Sequence, residues 1–221
     1  MHFILKYFTF CLQLKNIWLL LISFWSLFPG FTQAVTPENL GQMYSVQGHF
    51  EKAIHHWQAA LDLDNGKPSK NIEIMLQLSQ AYQALGLSQQ ALATLSQAEL
   101  LIEQLPKPLE PKNLFKLAKL FLTKSDISLA TRKDIQARFY ADKSLNLLPS
   151  DAPALIRATV LNNLGNVLTV EAYYANAVKT YANAVELAQL AGNVLLSGRI
   201  LINMAYAYSK KGQWNTALQI L

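Results

Sequence analysis

The sequence predicts an all-α chain, a solenoid of stacked antiparallel helix hairpins. Three observations predict it. One arrangement of small and large residues returns at long, nearly constant intervals. Within each segment the apolar residues follow the three-four spacing of an amphipathic helix. Glycines stand between paired segments, where a first helix has to stop in a left-handed residue.

The series opens with Leu40-Gly41, Tyr44, Gly48, Phe50, Ala53-Ile54, Trp57 and Ala60-Leu61. It returns as Leu78-Ser79, Tyr82, Gly86, Ser88, Ala91-Leu92, Leu95 and Ala98. It returns again as Leu164-Gly165, Leu168, Tyr174, Ala177-Val178, Tyr181 and Ala184-Val185. It begins once more at Met204-Ala205, Tyr208, Gly212, Trp214, Ala217-Leu218 and Leu221. Gly41, Ala53, Gly165 and Ala177 are small enough for two antiparallel helices to approach closely. Tyr44, Trp57, Tyr82 and Tyr181 are expected to fill the space between one hairpin and the next. Gly48, Gly86 and Gly212 stop first helices, and Asp64-Asn65-Gly66 and Pro149 end second helices.

The third unit is degenerate. Its second helix aligns on Ala137, Ala141, Ser144, Leu145 and Leu147. Its first helix runs through Ser125, Ser128 and Leu129, extending back toward Asn113, with a helix start at Lys112. The expected organisation is two units over residues 35–105, a Pro/Lys-rich insertion over 106–117, and three units over 118–221. The last of these is incomplete, because Leu221 falls inside a second helix and no polar capping helix follows. The chain is therefore expected to be part of a larger solenoid.

These registered residues resemble the tetratricopeptide-repeat (TPR) family, whose motif runs W-x2-L-G-x2-Y-x8-A-x3-F-x2-A-x4-P. Pro37, Met75, Leu161 and Leu201 stand where the family's first aromatic would be. The resemblance covers residues 35–221. It implies a right-handed superhelix whose first helices line a concave groove that holds a protein or peptide ligand. It also implies a scaffold for protein–protein interaction rather than an enzyme. In the family, the residue before the Leu-Gly pair points into the groove; here those residues are Asn39, Gln77, Thr123, Asn163 and Asn203. Gln42, Gln80, Asp126 and Asn166 stand three residues on. A carboxamide both donates and accepts, so a ladder of Asn39, Gln77, Asn163, Asn166 and Asn203 is expected to bind an extended peptide by its backbone. The charge pattern for clamping a C-terminal carboxylate is incomplete: Lys119 and Arg199 are candidates for it, but basic residues do not recur with the asparagines. Long, glycine-marked units behind a signal segment also look like the N-terminal half of bacterial proteins carrying a caspase-like CHAT domain. That likeness gives the alternative function, recruitment of substrate for a larger peptidase.

The leading 34 residues read differently. Lys6 and Lys15 are basic, and an uncharged run follows from Ile17 to Phe28. Pro29-Gly30 breaks it, and Thr32-Gln33-Ala34 offers a small-x-small cleavage site. That order is a secretory signal peptide, and the run is short of the roughly 20 residues that span a bilayer. An uncleaved anchor is the alternative, since Phe3 to Leu14 is also apolar. The mature chain is expected in the periplasm, at the cell surface or outside the cell, or else membrane-anchored through residues 1–34. Membrane contact is expected only through that segment.

Composition excludes several classes. The net charge of +5 falls to +3 once Lys6 and Lys15 are set aside, too mild to indicate nucleic acid. Cys11 is the only cysteine, so a cleaved chain has no thiol for a disulfide, a zinc cluster or a nucleophile. His55 and His56 are neighbours on one helix and diverge by about 100°, and no HExxH, phosphate loop or GxSxG elbow occurs. Asp62 and Asp64 are close only in sequence. No catalytic residue, cofactor or metal is expected. Lys112, Lys116 and Lys119 share a helix face opposite Leu114, Leu117 and Phe121. It reads as a solvated face, or as one attracted to an acidic partner or an anionic membrane surface.

Overall fold

The computed structural model describes residues 36–63 and 68–221. The expected leader, and the Asp64-Asn65-Gly66 turn, lie outside the described residues. Ten helices follow one another among those described: α1 (Pro37–Val46), α2 (Phe50–Leu63), α3 (Pro68–Ala84), α4 (Ser88–Glu103), α5 (Pro111–Ala130), α6 (Asp134–Asn146), α7 (Ala154–Val170), α8 (Tyr174–Leu190), α9 (Val194–Lys210) and α10 (Trp214–Ile220). They pair into five antiparallel hairpins, α1–α2 to α9–α10, each packed on the next. The chain is a right-handed α-solenoid of the TPR type.

Each hairpin closes on the same backbone device. The second residue after each first helix takes a positive φ: Gly48 at 77°, Gly86 at 74°, Arg132 at 58°, Ala172 at 63° and Gly212 at 82°. Two hydrogen bonds wrap each end. Gly48 N–H donates to the Ser45 carbonyl at 3.0 Å, and His49 N–H to the Tyr44 carbonyl at 2.9 Å. The pattern repeats at the other four turns and satisfies carbonyls that a helix end leaves bare. The carbonyl of the next residue then accepts from an alanine four positions on: Ala53, Ala91, Ala137, Ala177 or Ala217. All five alanines are buried. Turn and helix contact are thus fixed together, which is why glycine and alanine recur in register.

The turns lie 38, 46, 40 and 40 residues apart. The long interval comes from α5, a helix of 20 residues against 17 for α7 and α9, together with the connection over 104–110 before it. The insertion expected over 106–117 is confined to the connection before Pro111, and residues 111–117 are helical. Proline at the first helical position loses no hydrogen bond there and presets φ for the turn. Leu114 and Leu117 then continue the apolar side of α5.

Two glycines set how closely hairpins close. A Cβ on Gly41 would lie 2.5 Å from Trp57 Cδ1, and one on Gly165 would lie 2.4 Å from Tyr181 Cε1. Trp57 and Tyr181 therefore press on the first helix of their own hairpin as well as reaching the next. Trp57 joins Ile74, Leu78 and Ala81 of α3, and Tyr181 joins Leu196, Ile200 and Ala207 of α9. The third unit departs from this scheme. Ser125 and Ala141 occupy the glycine and aromatic positions, and the Ser125 hydroxyl donates to the Ala137 carbonyl at 2.9 Å. Lys124 stands where Leu40, Leu78, Leu164 and Met204 stand elsewhere. It is buried, with its ammonium on Glu99 of α4 and near the rings of Phe121 and Tyr140. A charge at a core position is tolerated only when paired, and Glu99 supplies the pair.

Candidate functional site

The first helices carry the candidate site. Successive first helices touch from α3 onward, α3 with α5, α5 with α7 and α7 with α9. No two second helices approach to the same extent among the described residues. Polar positions on the first helices are thereby brought side by side across units.

Asn163 on α7 is buried, and its Nδ2 donates to Asp126 Oδ1 on α5 at 2.7 Å. Its Oδ1 is buried with no hydrogen-bond partner. Asn203 on α9 donates to Asn162 Oδ1 on α7 at 3.0 Å. Each of these residues therefore reaches back to the unit before its own. Asn166 accepts from the Tyr181 hydroxyl at 2.7 Å, and that hydroxyl also lies 3.3 Å from Thr169 Oγ1. Burial pushes the Tyr181 hydroxyl up to about 12, so it stays a neutral donor. Gln77 on α3 is half-buried and its Oε1 has no partner. Asn39 on α1 is exposed.

The five residues expected to form the ladder therefore separate. Asn163, Asn166 and Asn203 each belong to a separate hydrogen-bonded pair at units 3 to 5. Gln77 and Asn39 stand on α3 and α1. Asp126 was visible in sequence as the residue one turn on. Asn162 was not, because its counterparts Leu76 and Leu122 are apolar and the position reads as core. Burial raises the Asp126 carboxyl to about 6, against the Asn163 hydrogen bond and the Arg199 charge, which pull it down. The face therefore holds a carboxyl raised well above its ordinary range, beside a buried amide oxygen without a partner.

The basic stripe has partners of its own. Lys116 Nζ donates to the Ser69 carbonyl at 2.5 Å and to Ser69 Oγ at 2.8 Å, tying α5 to α3. Lys112 pairs with Glu110 at 2.7 Å. The histidines are packing residues in geometry: His56 stacks on Tyr44 with centroids 5.3 Å apart, and His55 meets His56 edge-on at 5.5 Å. Among the described residues no group of three or more His, Cys, Asp or Glu side chains is placed to hold a metal ion. No described helix is long and apolar enough to cross a membrane.

No protein-family model matches the sequence, and no curated protein matches it. Solved structures do match its fold. BtubC from P. vanneervenii superposes with a TM-score of 0.67 at 20% identity, over 84% of this chain and 75% of that one. A signal-transduction ATPase with a tetratricopeptide-repeat sensor, from Pyrococcus horikoshii, gives 0.67 at 19% identity, over 83% of this chain but only 28% of that one. A thermophilic TPR protein of Thermus thermophilus gives 0.59 at 18% identity, over 83% of this chain and 86% of that one. The chain is similar to these proteins in fold.

Proposed function

We propose that this is an exported, non-catalytic repeat scaffold that holds another polypeptide in a concave, amide-rich groove formed by its first helices. The observation that carries the reading is the closer approach of successive first helices than of second helices. A stack curves toward the side where its members are closest, and solenoids use that inner surface for extended ligands. The polar row on that side supports recognition of a peptide backbone, since carboxamides such as those of Asn39 and Gln77 both donate and accept. The TPR fold of the similar structures is consistent with a binding module, and export rests on the order of charge, apolar run and cleavage site in residues 1–34.

Peptides selected on the full chain by display test the groove. Binding is expected to fall about tenfold with Asn39→Ala plus Gln77→Ala, and similarly when two peptide amides are N-methylated. An unchanged thermal midpoint controls for folding. Peptides indifferent to both changes would overturn the reading. Mass spectrometry of the mature N-terminus separates a start near Val35 from a retained anchor.

A further inference from the structure

A cleft of about 420 Å³ opens between α4, α5 and α6, with a hairpin before it and hairpins after it. Its volume is in the range of small-molecule sites. Each of the three helices lines it with residues at three- or four-residue steps, so each turns one face to it. Ile102 of α4, Leu117 and Phe121 of α5, and Leu147 just after α6 form its apolar floor. Ile102 and Phe121 are 1% and 5% exposed, so the floor is continuous with the core shared by units 2 and 3. Leu117 and Phe121 lie on the side of α5 opposite Thr123 and Asp126, which separates the cleft from the polar row of the first helices. The connection over 104–110 borders the cleft through Lys107, whose Nζ lies 3.5 Å from the Ile102 carbonyl oxygen.

Charge is sorted by wall. Glu99 and Glu103 line the α4 side, Lys143 lines the α6 side, and Lys107 belongs to the connection. Glu99 is taken by the buried Lys124 ammonium. Glu103, Lys107 and Lys143 form no ion pair among the described residues. Lys143 Nζ instead lies 4.9 Å from the Phe121 ring centroid and 4.6 Å from that of Phe139, so ring faces hold this cation beside the apolar floor. Glu103 is the last residue of α4, where the helix end adds partial negative charge to its own. An apolar carboxylate in the cleft would face Glu103, and an apolar amine would face two lysines. A small molecule that carries both charges on an apolar body matches both walls.

We propose that the cleft between α4, α5 and α6 binds a free apolar amino acid as its zwitterion. The carboxylate lies toward Lys143 and Lys107, the ammonium toward Glu103, and the side chain against Leu117, Phe121 and Leu147. The site is distinct from the first-helix groove, and the proposal stands without the peptide-groove reading.

Free leucine is the probe, titrated on the full chain by ligand-observed NMR. Isocaproate is its twin without the ammonium, isopentylamine its twin without the carboxylate, and glycine lacks the apolar body. Leucine is expected to bind at least about tenfold more tightly than any of the three. Glu103→Gln plus Lys143→Gln, both at exposed positions, is expected to weaken leucine at least about tenfold and to remove its advantage over the two twins. The helical circular dichroism signal is expected to be retained. A twin that binds as tightly as leucine overturns the proposal, and so does leucine binding that is indifferent to the double substitution. Tighter binding of the dipeptide leucyl-leucine than of leucine also overturns it, since the occupant is then a peptide end. Absence of leucine binding up to about 10 mM overturns it as well.

Discussion

Asp126 shows how one residue couples the candidate site to the fold. Its carboxyl is raised from 3.8 to about 6 because the first helices of adjacent units close over it. The folded chain therefore binds that proton more tightly than the unfolded chain does. The stabilisation is fully present below about pH 4 and is lost as pH rises through about 6. After allowance for the solvent screening of a half-buried group, the loss amounts to about 1–2 kcal/mol. Asp126→Asn keeps an oxygen for the Asn163 amide and removes the titration. The thermal midpoint of the wild type is expected to fall between pH 4.5 and 7 relative to that of Asp126→Asn (about those limits, from the linkage above). Parallel midpoints across the range would mean that the carboxyl titrates as it does in the unfolded chain. The same residue marks a limit of sequence reading. Repeat register says which residues are equivalent, and Asn163 and Asn203 were legible on that basis. It does not say which residues touch, so the pairings Asn163–Asp126 and Asn203–Asn162, each between adjacent units, needed the packing of α5, α7 and α9.

At the scale of the hairpin, the turn is the most legible element and also the one with a concealed cost. Gly48, Gly86 and Gly212 announce left-handed turns because glycine has no Cβ to clash there. Arg132 and Ala172 adopt the same conformation without that freedom, so nothing in their identity marks the turn. Their conformation is imposed by the paired hydrogen bonds and by the buried alanines five residues later. An alanine in the left-handed region costs about 1–2 kcal/mol, offset in part by the greater entropy of an unfolded glycine. Ala172→Gly is therefore expected to stabilise the chain by about 0.5–1 kcal/mol, read as a higher urea midpoint with unchanged slope. A lower midpoint would show that the Ala172 methyl makes compensating contacts. The third unit was harder to read for a related reason. Its repeat signature is replaced by specific chemistry: Ser125, bonded to the Ala137 carbonyl, and Ala141 stand at the glycine and aromatic positions, and the Lys124–Glu99 pair replaces leucine. Both solutions keep the helices packed while removing the residues that a periodic pattern detects.

For the whole molecule, the stack makes stability a sum over hairpins and the interfaces between them. Each hairpin interface can therefore be weakened locally. A Cβ on Gly165 of α7 would lie 2.4 Å from Tyr181 Cε1 of α8, and Tyr181 also packs on Leu196, Ile200 and Ala207 of α9. Gly165→Ala is expected to cost about 1–3 kcal/mol by overpacking and to loosen α7, α8 and α9 together. Native-state hydrogen exchange on the full chain reads where that loss falls. Ala177 and Ala53 make the same hydrogen bond to the turn residue four positions earlier, to Tyr173 and His49 respectively. Ala177 is expected to exchange about tenfold faster in the variant, the consequence of about 1.4 kcal/mol less protection, with Ala53 unchanged. Equal acceleration at both would mean that the described hairpins open as one cooperative unit, the strain at one interface being shared by the whole stack.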